Sequence, residues 1–212
     1  MLVVTHSLEP GTIQRTKAKI STITISDAEL RDLGGSIVFI RDAQHRGVTG
    51  FLWTPRYVVT TSSLVDHPGA EVVVTRRKGR AGERQDVGRA VVVDTRNRIA
   101  VIDMGKSLHD DALPDRRTEE LSTFDKVFAL VYADTNYISI REGRVLHVDV
   151  NLGEGRRIIA VDMAIALGMA GSPVFSKDGS LVGMVTGAKL DAQVGHVVPV
   201  REIEYSFEGL GG

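Results

Sequence analysis

The chain offers two kinds of residue to chemistry: imidazoles near hydroxyls, and one short glycine-rich loop. His67 follows Ser63 by four positions, a spacing that on a helix sets an imidazole and a hydroxyl on one face. His196 lies in the apolar run Gly195-His-Val-Val-Pro-Val-Arg201. The plainer readings are a loop-edge histidine before Pro68 and a packed wall residue, and no nucleophile stands beside either ring in the sequence. The loop is Gly168-Met-Ala-Gly-Ser-Pro173, whose backbone N–H groups could line a hollow for a carbonyl or carboxylate oxygen. Equally, Gly168 and Gly171 could do no more than permit the backbone angles of a tight turn. Metal chemistry has no such footing. The six histidines are scattered without paired ligand spacing and there is no cysteine, so neither a metal nor a cofactor is expected.

Short runs rich in Val, Ile and Thr, punctuated by Gly, Asp, Asn and Pro, must position these residues. That pattern predicts an all-β sandwich or barrel. The first group of strands is expected at Ser36–Arg41, Val48–Trp53, Tyr57–Thr61, Glu71–Thr75, Gly88–Asp94 and Ile99–Met104. The second is expected at Asp125–Tyr132, Tyr137–Val150, Arg156–Val161, Pro173–Ser176, Leu181–Thr186 and Gly195–Val200, with a hairpin turn at Lys177-Asp-Gly-Ser180. The polar stretch Lys106–Glu120 reads as a surface connector. Two packed six-stranded antiparallel barrels follow, with a short C-terminal helix over Arg201–Phe207. The expected organisation is an N-terminal arm (1–32), a first barrel (33–105), a linker (106–124), a second barrel (125–205) and a flexible tail (206–212). Thr16–Ile25 in the arm alternates as a strand would.

With 212 residues, 42% hydrophobic and 25% charged, the chain can bury a core as one double-layered domain or two small ones. A net charge of −1 argues against nucleic acid as the main partner. The one basic run, Arg76, Arg77, Lys78, Arg80 and Arg84, is broken by Gly79, Ala81 and Gly82 and reads as a solvated hairpin loop. Met1–Pro10 lacks the pattern of a secretory signal, and no apolar stretch is long enough to span a bilayer. No membrane partner is expected, and the cytoplasm is the default location.

Several stretches resemble the HtrA branch of the trypsin-like serine proteases. They are Gly50-Phe-Leu-Trp through Thr60-Thr-Ser-Ser-Leu-Val-Asp66, Asp94-Thr-Arg-Asn-Arg-Ile-Ala-Val-Ile-Asp103, Asp162 through Gly168-Met-Ala-Gly-Ser-Pro173 to Thr186, and Gly195–Arg201. The resemblance runs over about residues 33–205 in consistent order. It puts Ser63 where the family has histidine, Arg98 where it has aspartate and Ala170 where it has serine. A methyl group cannot form an acyl-enzyme, a hydroxyl does not shuttle protons near neutral pH, and a guanidinium reverses the sign of the third position. Loss of a nucleophile alone costs on the order of a million-fold in rate. The resemblance therefore implies a catalytically degenerate homologue, a pseudoprotease that is not an enzyme and serves as a protein-binding or scaffold subunit of an intracellular complex. The alternative is a serine endopeptidase whose nucleophile has been changed to Ala170 by design.

The resemblance also implies a groove for a protein or peptide partner. Its expected residues are Ile165, Ala166, Gly168, Met169, Ala170, Thr186, Gly187, Ala188 and His196. The edge at Val185–Lys189 would pair with an added strand, unless the arm over Thr16–Ile25 fills it.

Overall fold

Period-two alternation is resolved in the structure as two opposite destinations for side chains of the same strand. In this computed structural model, which describes residues 24–108, 121–132, 137–166, 168–189 and 194–210, Val38 and Ile40 point into one barrel while Ile37 and Phe39 join a second apolar layer. The first barrel comprises β1 (Ile37–Arg41), β2 (Gly47–Leu52), β3 (Tyr57–Thr61), β4 (Glu71–Arg76), β5 (Arg84–Asp94) and β6 (Ile99–Asp103). These close in the order β1-β2-β3-β6-β5-β4. The second comprises β7 (Lys126–Val131), β8 (Ser139–Asn151), β9 (Arg157–Val161), β10 (Pro173–Ser176), β11 (Leu181–Lys189) and β12 (Val194–Pro199), closed in the equivalent order.

Small barrels have no lumen, so branched aliphatic residues fill them: Leu52, Val58, Val74 and Ile102 in the first, Val127, Val145, Val185 and Val197 in the second. The third layer lies between them. Phe51, Trp53, Val59 and Ile99 from one barrel meet Phe128, Leu130, Tyr132 and Phe175 from the other. Polar contacts cross the same seam, among them one through Thr49. The hydroxyl of Thr49 accepts the Tyr132 N–H at 3.0 Å, and its carbonyl accepts the buried Thr60 hydroxyl at 2.7 Å.

The segments flanking the two barrels each fasten to the far barrel. Helix α1 (Asp27–Gly35) starts in a capping box, with the Ser26 hydroxyl accepting from Glu29 N and the Glu29 carboxylate accepting from Ser26 N. Just before it, Thr24 donates through N and Oγ1 to Lys177 O at 3.2 and 2.8 Å, on the β10–β11 turn. Helix α2 (Val200–Tyr205) leads to Phe207, which stacks on Trp53 of the first barrel at 5.4 Å.

Three details depart from expectation. Helix α1 occupies the segment read as the end of an arm, and most of the strand-like stretch 16–25 lies outside the described residues, as does the connector over 109–120. Strand β5 begins at Arg84 rather than Gly88, because polar residues there are paired: Asp86 takes Arg76 at 3.1 Å and Lys106 at 2.5 Å. Arg76 is consequently buried on β4, and only residues 77–83 form the hairpin loop. Among the described residues no helix is long and apolar enough to cross a membrane.

Candidate active site

The crevice between the barrels is assembled by three segments that the first barrel's turns and the second barrel's loops bring into one chain of hydrogen bonds. After β3 the backbone turns at Thr61–Leu64 without forming a helix, and Thr61 Oγ1 and Ser63 Oγ lie 3.2 Å apart. Ser62 N donates to Arg98 O at 3.2 Å, which docks this turn against the β5–β6 turn. Arg98 itself sits at φ 59°, a left-handed conformation that costs a non-glycine residue on the order of 1 kcal/mol. Its guanidinium crosses the seam, donating from Nη1 to Thr186 O at 3.2 Å. One residue back, Val185 O accepts Gly171 N at 2.8 Å and Val185 N donates to Ser172 O at 2.9 Å. Ser62, Arg98, Thr186, Val185 and Gly171 thus form one run of hydrogen-bonded neighbours across the seam, with Ser63 and Ala170 next to it in the chain.

The 168–173 loop earns its glycines. Gly168 and Gly171 have φ of 84° and 87°, which β-carbon-bearing residues rarely adopt. A Cβ on Gly171 would fall 2.0 Å from the Thr49 carbonyl oxygen and 2.6 Å from Thr60 Oγ1. That glycine is where the loop passes over the first barrel. Along the loop, Met169 N donates to Ala166 O, Gly171 N to Val185 O and Ser172 N to Met169 O. Gly168 N and Ala170 N, the alternate donors, have no acceptor among the described residues. N–H groups left without an acceptor are the kind of donor that can receive an oxygen carrying negative charge.

Beyond Val185, β11 pairs with β12 alone, because its pairing with β10 ends at Met184. A register shift at Thr186 turns that residue out of the ladder, and Gly187 resumes it opposite His196. Among the described residues no second strand pairs with the main-chain edge from Gly187 onward, the kind of edge an added strand can join. Ile165 packs against Gly195 on β12, where an added Cβ would come within 2.9 Å of it, and Ala166 is exposed. Ile165, Gly187 and His196 thus form one group beside this edge, with Ala166 exposed next to Ile165. Met169 does not belong to it. Its side chain is fully buried among Val174, Val182 and Val185, so it supports the loop from below and is removed from the list of groove contacts. Ala188 holds its register opposite Gly195.

Of the two histidines that could have replaced the missing base, His67 is exposed in the 62–69 turn, with Nδ1 at 2.6 Å from the Asp66 carboxylate. His196 is half-buried at the crevice. Burial chiefly, and then the charges of Arg156 and Arg98, hold its imidazole below the usual histidine range. Arg156, from the β8–β9 turn, was not anticipated from the sequence. Its Nη2 lies 3.4 Å from Thr186 Oγ1, and that hydroxyl reaches His196 O at 3.4 Å. Among the described residues no group of three or more His, Asp or Glu is placed to hold a metal ion.

Comparison with known proteins gives the geometry a family. The family model for a trypsin-like peptidase domain matches residues 48–184, more than half the chain. No curated protein matches it. Among solved structures, the active form of the Rv3671c protease of M. tuberculosis is similar over 100% of this chain and 95% of its own, at 20% identity and a TM-score of 0.76. Deg5 is similar over 84% of this chain and 90% of its own, at 18% identity and a TM-score of 0.67. The HtrA-type protease AlgW with a tripeptide is similar over 84% of this chain and 62% of its own, at 18% identity and a TM-score of 0.70. At these identities the structures establish the fold.

The peptidase family match, on a fold shared with active proteases, overturns the expectation of a non-enzyme. That expectation equated three side chains with the whole reaction. Its physical weakness is that a preorganised oxyanion hollow and substrate binding alone sustain roughly 10³–10⁴-fold acceleration over water once triad members are removed. Among the described residues Gly168 N and Ala170 N have no acceptor, and the β11 edge beyond Met184 has no partner other than β12. The chain belongs to the trypsin-like peptidase domain family, with its crevice at the seam of two closed six-stranded barrels.

Proposed function

We propose that the chain has the framework of a serine-type endopeptidase domain whose nucleophile has been changed to Ala170, one that takes an extended polypeptide along the edge of β11 and seats a carbonyl at the hollow between Gly168 and Ala170. Position 170 is the nucleophile's place, and alanine stands there instead of serine. The observation that carries this reading is the pair of unengaged N–H groups on Gly168 and Ala170, flanked by a strand edge whose other side is fully paired. A hydroxyl at 170 would be half-exposed to the crevice, on the loop that Gly171 clamps to Thr49. The polypeptide is held chiefly by main-chain hydrogen bonds, so a protein partner bearing an accessible extended segment fits as well as a short peptide. Having no cysteine, the chain suits a reducing compartment such as the cytoplasm.

The test restores the reaction in steps. Ala170→Ser should react with a fluorophosphonate probe, slowly, because the base position still holds Ser63. Adding Ser63→His and Arg98→Asp should raise the labelling rate by about 10²–10⁴-fold, the usual worth of a positioned general base. Absence of labelling in the triple variant, with native-like circular dichroism, would show that the crevice is not a peptidase centre.

A further inference from the structure

The crevice holds positive charge where the family's reaction has an acid. Arg98, in the triad acid's place, and Arg156, from the opposite barrel, both lie against Thr186, through its carbonyl at 3.2 Å and its hydroxyl at 3.4 Å. Neither the charges acting on Arg156 nor those acting on His196 include a carboxylate; each feels only the neighbouring guanidinium groups and its own burial. Asp94, the acid on the same turn as Arg98, is engaged by Asn97 N and Nδ2 at 2.9 and 2.8 Å. Arg156 Nε is buried with no hydrogen-bond partner among the described residues. A third guanidinium, that of Arg96, reaches the β8–β9 turn so closely that a Cβ on Gly155 would meet its Nη2 at 2.2 Å. Two half-satisfied guanidinium groups packed around one threonine repel each other and leave a donor unpaired, both of which cost stability. A bound anion would reverse both costs, and a guanidinium fork is shaped for a carboxylate.

Gly187 fixes where that anion sits. It is the first residue of the open β11 edge, and an added Cβ there would lie 3.0 Å from Arg98 Nη1. A side chain at 187 would cover the guanidinium from the groove; glycine leaves it reachable from a strand lying on that edge. We propose that Arg98, Arg156 and Thr186 form a carboxylate-binding subsite, and that the extended polypeptide taken by this domain carries an acidic group at the position facing Gly187. The inference rests on the reading of the β11 edge as the polypeptide site and deepens it by naming the substrate class.

The experiment measures fluorescence anisotropy of labelled extended peptides binding the intact chain. One peptide carries a central Glu, a second Gln at the same position, and each is made with a free and an amidated C-terminus. The Glu peptide should bind at least tenfold more tightly than the Gln peptide at low salt, with the preference shrinking as ionic strength rises. If the preference follows the free C-terminus instead, the carboxylate is terminal and the subsite still stands. Arg98→Asn, which tolerates the left-handed backbone, combined with Arg156→Gln should abolish the preference, so that the Glu and Gln peptides bind this variant alike. Equal binding of all acidic and neutral peptides would overturn the subsite and leave the edge as a general strand-binding site. Binding of none would overturn both readings.

Discussion

His196 carries a pH dependence whose sign follows from its surroundings. Burial first, then Arg156 and Arg98, favour its neutral form in the folded chain, so its folded pKa is depressed. In the unfolded chain it titrates near 6.5, as an ordinary histidine does. Its stabilising contribution is therefore complete above about that pH, and declines as the pH falls through that value and on toward the folded pKa. Replacing Arg156 by Gln removes one repelling charge, so the folded His196 should titrate at higher pH. Ring-proton NMR across the acid range measures this directly, and an unmoved or lower titration would show that Arg156 does not act on the ring. At this scale positions 63, 98 and 170 were singled out through the resemblance of the stretches around them, in which each is fixed by its immediate neighbours. It hid Arg156, which reaches Thr186 only through a turn 30 positions distant in sequence, a separation that carries no periodic signal.

Among the elements, the loop before β10 depends on one glycine. Gly171→Ala should destabilise the chain by roughly 2–5 kcal/mol, since the new methyl meets the Thr49 carbonyl and the residue is held at φ 87°. Urea unfolding reads this as a lower midpoint at unchanged slope; a shift under a few tenths of a kcal/mol would mean that the loop lifts freely from the first barrel. The strands themselves were legible in Val, Ile and Thr alternation, and β3 and β10 fall where the pattern puts them. The start of β5 escaped because Arg84, Gln85 and Asp86 are polar, and what keeps them in the sheet is pairing with β4 and an ion pair across it. Helix α1 was readable after all. Ser26 and Glu29 spell its capping box, but the nine residues that follow have too little apolar periodicity to stand out beside the strands.

For the molecule as a whole, each barrel is built from six strands that are consecutive in the chain, so neither barrel borrows a strand from the other. The barrels are joined by their shared apolar layer, by Thr49 on Tyr132, and by the ends of the chain. The fold was legible at this scale because two groups of six strands separated by a polar stretch have few other ways to close. How the ends would be used was not legible, since nothing local in Thr24 or Phe207 shows that each settles on the opposite half.

That exchange of ends has a practical consequence. Polypeptides covering 1–108 and 121–212, produced separately, each keep a hook for the other: Thr24 and Ile25 reach the Lys177–Gly179 turn, and Phe207 caps the indole of Trp53. Mixing them should reconstitute the native assembly without a covalent bridge, reported by the emission of the chain's single tryptophan, Trp53, as it passes from water into its stacked, buried setting. Halves that stay apart at micromolar concentration would show that the tether, rather than the clasp, holds this protein together.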